Sequence, residues 1–145
     1  KKSEMRIVID TNVLISGIIF GGKPSKIIEL LFGKKISVFA SPEMVDEYKR
    51  IYGELGERYA KRTHNELNEI INSMNILPSH SHIEACRDPD DNKFIECAID
   101  NRCIYIVSGD KDLLVLEQYE DIGILTVSEF LEQYEKKRHK NSTKN

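Results

Sequence analysis

Short apolar runs without helical period, each followed by an amphipathic helical stretch, constrain this chain more than any other feature. Arg6-Ile7-Val8-Ile9, Ile36 to Ala40, Ile104-Tyr105-Ile106-Val107 and Gly123 to Thr126 are such runs, and a shorter extended segment lies at Ile76-Leu77 before Pro78. A strand with one wet face alternates apolar and polar residues, whereas continuous apolar runs belong to strands covered on both faces. Between the runs, Pro24-Ser25 opens a helix carrying Ile27, Ile28, Leu30 and Leu31, with Gly33 placed to end it. Ser41-Pro42 supplies a hydroxyl N-cap and a proline at the first helical position, ahead of Met44, Tyr48 and Ile51 at i, i+4 and i+7. Thr63-x-x-Glu66 and Thr126-x-x-Glu129 are capping boxes for two further helices. This alternation predicts a three-layer α/β/α domain with a mainly parallel central sheet.

A length of 145 residues suits one such domain. Lys1 to Glu4 reads as an N-terminal extension, residues 5–135 as the domain, and the wholly polar stretch from Lys136 to Asn145 as a tail expected to be disordered. Cys86, Cys97 and Cys103 cannot all pair and show no C-x-x-C spacing, which argues against a structural zinc. The longest apolar run, Val13 to Phe20, is interrupted at Ser16 and Gly17 and is too short for a bilayer; no signal-peptide pattern is visible, so the cytoplasm is expected. A net charge of −3 argues against a general nucleic-acid coat, which is normally basic. It leaves room for a nuclease, whose site is itself acidic and whose cations reverse the local sign. Lys34-Lys35, Lys49-Arg50 and Arg58/Lys61/Arg62 are basic clusters able to meet phosphates or simply to solvate helix faces.

Four acids fall where a binding site would form. Asp10 closes the first strand and Asp110 follows the strand ending at Val107, and ligands in open α/β sheets bind beyond the C-terminal strand ends. Glu47 borders the Met44/Tyr48/Ile51 stripe, and Asp91 shares a helix face with Phe94, Ile95 and Ala98. Asp88 reads as a helix cap and Asp90 as a solvated first-turn charge. Each acid alone has a plain structural reading: a cap for Asp10, an ion pair for Glu47, a turn for Asp110. Together they repel, by roughly 4 kcal/mol per pair at about 4 Å and an effective dielectric of about 20. A divalent cation offsets that repulsion, and an all-carboxylate set favours a hard ion such as Mg2+ or Mn2+.

The blocks Ile9-Asp10-Thr11-Asn12-Val13-Leu14-Ile15-Ser16, Arg87-Asp88-Pro89-Asp90-Asp91-Asn92-Lys93-Phe94 and Val107-Ser108-Gly109-Asp110-Lys111-Asp112-Leu113-Leu114, with Glu47 between the first two, resemble the PIN domain. The likeness runs from Met5 to about Tyr134 and is strongest to the prokaryotic branch of VapC-like toxin components of toxin–antitoxin systems. It implies a metal-dependent ribonuclease in which Asp10, Glu47, Asp91 and Asp110 form the acidic quartet. Asp112 occupies a frequently acidic position, and Asn12 and Ser108 match supporting polar positions, the family more often having threonine at Ser108. The resemblance further implies one or two Mg2+ or Mn2+ ions, with Asp10 and Asp91 as primary ligands and Glu47 and Asp110 placing a second ion or the attacking water. RNA substrate, a cognate antitoxin and a homodimer are its implied partners. A dehalogenase-like phosphatase would need a second aspartate where Asn12 stands, and a phospho-receiver would need an acceptor after the second strand, where Ala40-Ser41 offers none. The rival from another class is a catalytically silent PIN-like module that binds RNA or protein.

Overall fold

A computed structural model describes residues 5–59 and 64–143. In β1 (Met5–Ile9), the consecutive residues Ile7, Val8 and Ile9 are each at most 1% exposed, so both faces of the strand are covered. The chain continues through α1 (Thr11–Ile19) and α2 (Lys23–Phe32) to β2 (Ile36–Ala40), then through α3 (Pro42–Tyr59) and α4 (His64–Asn72) to β3 (Asn75–Ile76). A single 3-10 turn (Pro89–Asp91) runs directly into α5 (Asn92–Asp100), which leads to β4 (Tyr105–Val107). The last elements are α6 (Lys111–Leu114), β5 (Gln118–Tyr119), β6 (Ile122–Leu125) and α7 (Val127–Thr143).

Among the described residues six strands lie in the order β3-β2-β1-β4-β6-β5, and all pairs are parallel except β5 with β6. From β1 the chain builds outward through β2 and β3, then crosses to the other side of β1 to lay down β4. Strand order therefore reverses between β1 and β4, whose last residues Ile9 and Val107 are in register. That reversal opens a crevice at their C-terminal ends. Asp10 and Ser108-Gly109-Asp110 stand at its rim, with the Asp10 amide closing on the Val107 carbonyl at 3.0 Å.

Helices cover the sheet as the apolar pattern predicts. α5 lies across β1, β2 and β4, burying Phe94, Ile95, Cys97 and Ala98. α7 brings Phe130 edge-on to Tyr105, ring centroids 6.1 Å apart. α1 and α2 approach so closely that a Cβ on Gly17 would sit 3.0 Å from the Pro24 backbone. The turn between them runs through Gly21 (φ +76°) and Gly22 (φ +70°), a left-handed conformation that glycine adopts without strain.

The expected boundaries differ in three places. The sequence pattern predicts a helix from Lys111 to Gln118, but α6 ends at Leu114, and Glu117 at φ +62° turns the chain into the two-residue strand β5, which was not expected. α7 continues through Thr143, so the stretch from Lys136 is helical where a disordered tail was expected. No glycine or proline interrupts it, and Glu135 pairs with Arg138 at 2.7 Å on its surface. The Thr126 capping box forms as expected, Thr126 N donating to Glu129 Oε1 at 2.9 Å and Glu129 N to Thr126 Oγ1 at 3.1 Å. Lys1 to Glu4, Lys61, Arg62 and the Thr63 box lie outside the described residues. Among the described residues no helix is long and apolar enough to cross a membrane, and all three cysteines are free thiols.

Candidate active site

Asp10 is 3% exposed and has both oxygens engaged by the protein. Oδ1 accepts from the Val13 amide at 2.9 Å, making Asp10 the N-cap of α1. Oδ2 accepts from the Ser108 hydroxyl and from the Gly109 amide. The same Ser108 oxygen accepts from the Asp110 amide at 2.9 Å, so one buried hydroxyl ties the end of β1 to the turn after β4. Burial pushes the Asp10 carboxyl above its ordinary value; hydrogen bonds from Ser108, Val13 and Gly109 pull against that, and the charge of Asp110 adds to it. Asp110 itself caps α6, accepting from the Asp112 amide at 2.9 Å.

Asp91 turns inward as its spacing to Phe94 and Ala98 predicts. It is 7% exposed, and its Oδ2 is buried without a hydrogen-bond partner among the described residues. Its pKa is pushed up to about 7, first by burial, then by the charge of Asp110 and a hydrogen bond with it, and then by Asp88, with Lys93 acting the other way. Asp110 is thus the acidic neighbour of both Asp91 and Asp10, and links the two residues expected to be primary ligands. Asp88 caps the 3-10 turn as expected, accepting from the Asp90 amide at 3.0 Å. It also does more. Oxygens of Asp88, Asp91 and Asp112 all lie within 4.8 Å of one another.

This donor set fits a hard divalent cation. Oxygens on opposite sides of a Mg2+ ion stand about 4.2 Å apart, at about 2.1 Å from the metal each. A buried carboxylate oxygen with no donor pointing at it is costly as an anion, and a cation satisfies it. Asp91, Asp88 and Asp112 would hold such an ion, with Asp110 beside them.

Glu47 is in a different situation. Its Oε2 accepts from the Thr11 hydroxyl, and its Oε1 lies 2.8 Å from Lys93 Nζ. Lys93 is 4% exposed, and its ammonium also meets Asp90 Oδ2 at 2.9 Å and the Asp90 carbonyl at 2.7 Å, while lying 4.9 Å from the Phe94 ring centroid. Burial alone would lower the Lys93 pKa, but hydrogen bonds to Glu47 and Asp90 outweigh it and hold the ammonium charged. The ion-pair reading of Glu47 is therefore realised, and Asp90, exposed to water as expected, doubles as its partner's second anchor. Asn12, expected as a supporting polar residue, is exposed on the first turn of α1; its neighbour Thr11 is the residue that reaches the acids.

Sequence reasoning missed Lys93, Thr11 and the second role of Asp88. For Lys93 the available signal was its i,i+3 spacing from Asp90 on a helix whose next residue is buried. Asn92 was also passed over; its Oδ1 accepts from the Ala85 and Cys86 amides at 3.1 and 2.9 Å, pinning the loop that delivers the 3-10 turn.

Exposed Arg87 and Lys111 flank the acids in sequence. Lys34-Lys35, by contrast, precede β2, at the end of the sheet away from the crevice. A cleft of about 710 Å³ adjoins the Lys93 corner, but Glu43, Glu84, Asp90 and Glu96 line it and disfavour a bare phosphate backbone there.

A family model described as PIN domain matches residues 6–112. The chain is 35% identical to an uncharacterized protein, MJ1680, of Methanocaldococcus jannaschii, over 94% of this chain and 96% of that one. Its fold is similar to the crystal structure of PAE2754 from Pyrobaculum aerophilum, with a TM-score of 0.58 over 90% of this chain and 89% of that one at 14% identity.

Proposed function

The chain belongs to the PIN domain family, and on that premise we propose that it is a Mg2+- or Mn2+-dependent endoribonuclease. The observation that carries the reading is Asp91: a carboxylate buried beside Asp88, Asp110 and Asp112 with one oxygen left without a donor. In this reading Asp91, Asp112 and Asp88 hold the ion, and Asp110 and Asp10 complete the acidic site with Glu47. The ion, when bound, supplies a water of lowered pKa and offsets charge on the phosphate oxygens. The chain's own residues do the positioning. Ser108 fixes the Asp10 carboxylate and the Asp110 backbone against each other. Asp110 fixes the first turn of α6 and with it Asp112. Asn92 fixes the loop that presents Asp88 and Asp91. Arg87 and Lys111, exposed at the edge, are suited to meet phosphates, and single-stranded or looped RNA offers accessible ones.

The remaining parts of the proposal concern context: a toxin component of a toxin–antitoxin system, a homodimer, working in the cytoplasm. The test is RNA cleavage with Mn2+, with EDTA, and in Asp10→Asn. Cleavage that needs Mn2+ and is abolished by the substitution supports the mechanism, and cleavage surviving in EDTA refutes it. No cleavage of any RNA favours the silent RNA- or protein-binding module instead. Growth arrest on expression, relieved by a neighbouring gene product, tests the toxin role, and light scattering tests the dimer.

A further inference from the structure

We propose that Lys93 is a resident cation that fills the Glu47 corner of the acidic site, so that the chain takes one divalent ion and not two. The inference rests on the reading that Asp88, Asp91 and Asp112 bind a metal, and it concerns what stands beside that metal. Lys93 Nζ is placed 2.8 Å from Glu47 Oε1 and 2.9 Å from Asp90 Oδ2, and a third contact to the Asp90 carbonyl at 2.7 Å completes its donors. An ammonium has three hydrogens to donate, and all three are accounted for. The other Glu47 oxygen is taken by Thr11. Both Glu47 oxygens are thus engaged, and a second ion at this corner would stand directly against the Lys93 ammonium, whose like charge repels it unless Lys93 leaves.

Leaving is unfavourable for two reasons. The lysine is 4% exposed, in a helix whose adjacent residue Phe94 is 2% exposed, so the ammonium would have to break all three of its contacts to reach solvent. Extracting it would also leave the largely buried Glu47 carboxylate without its cationic partner. The acidic site thus divides into a metal half, Asp88/Asp91/Asp112, and a half that already holds a cation of its own, Glu47/Asp90. In this arrangement Lys93 is a positioning residue: it holds the Glu47 carboxylate on the Thr11 side.

Mn2+ titration of the intact chain, followed by calorimetry and by the electron paramagnetic signal of free Mn2+, decides the matter without reference to activity. One bound ion per chain in wild type and in Lys93→Arg, with a second, weaker ion appearing in Lys93→Met, is the expected result. Two ions in wild type, or one in Lys93→Met, overturns the inference and leaves the metal-site reading standing. No ion in wild type overturns that reading itself. Circular dichroism reports whether Lys93→Met folds. If it does not, the charge-neutral double variant Lys93→Met/Glu47→Gln takes its place. Retention of one ion supports the division of the site, and loss of that ion overturns it by making Glu47 a metal ligand.

Discussion

Asp91→Asn should change stability in opposite directions depending on whether a divalent ion is present. The Asp91 carboxyl is raised from 3.8 to about 7 in the folded chain. A folded pKa above the unfolded one means the native state keeps a proton that the unfolded chain has released. Stability from this group is complete below about pH 4, declines as pH rises through about 7, and the full penalty on the ionised form, about 4 kcal/mol, is present by about pH 8. Asparagine carries no charge at either pH, but an unpaired hydrogen on its buried amide costs about 1–3 kcal/mol. In EDTA at pH 8 the variant should therefore be more stable than wild type by about 1–3 kcal/mol, or roughly 3–10 °C in Tm. At about pH 4 the advantage should vanish or reverse, because wild type is then protonated too. Excess Mn2+ should invert the order at pH 8, wild type gaining about 4.1 kcal/mol at a concentration of about 1,000 times Kd while the variant gains little. Thermal melts of both proteins at the two pH values, in EDTA and in Mn2+, supply the readout. A variant less stable than wild type at pH 8 in EDTA would refute the account, since it would mean that Asp91 rests in its site without electrostatic strain.

Ser108→Ala should cost about 1–3 kcal/mol by denaturant unfolding, because it removes the hydroxyl shared by Asp10 and the Asp110 amide in a fully buried position, and it should also weaken Mn2+ binding by calorimetry. Tyr48→Phe should cost about 1 kcal/mol by the same measurement, since the Tyr48 hydroxyl donates to the Ile9 carbonyl at 2.7 Å in the core just before Asp10. Gly17→Ala should cost about 1–3 kcal/mol in thermal or denaturant unfolding, the new methyl meeting Pro24 backbone that cannot swing aside; an unchanged midpoint would show that α1 and α2 can separate freely.

The layered fold was legible because its signals are local. Ile7-Val8-Ile9 can only be a strand buried on both sides, and Thr126-x-x-Glu129 announces its helix within four residues. β5 was not legible: Gln118-Tyr119 has no apolar run, and its pairing with Ile122 and Gly123 depends on the reversal at Glu117. Among the acids, Asp10 and Asp110 could be placed from strand polarity, and Asp91 from its helix face. For Lys93 only the i,i+3 link to Asp90 was legible, because its other partner, Glu47, lies on another helix and shares no periodic relation with it. The dual use of Asp88 was hidden for a related reason: a cap is a local motif, whereas its closeness to Asp112 is created by the fold.

The parallel seam between β1 and β4 has a consequence for synthesis. Ser108 reaches Asp10 across 98 positions of sequence, so while the ribosome is still making α5, one edge of β1 has no partner. Such an open, largely apolar edge invites pairing with another nascent chain, and parallel closure over so long a loop is slow. The strand that seals this edge, β4, is followed within three residues by Asp110. Protection of the β1 edge and arrival of the last acidic residues of the site are thus a single event, and a chain cut short before β4 lacks both.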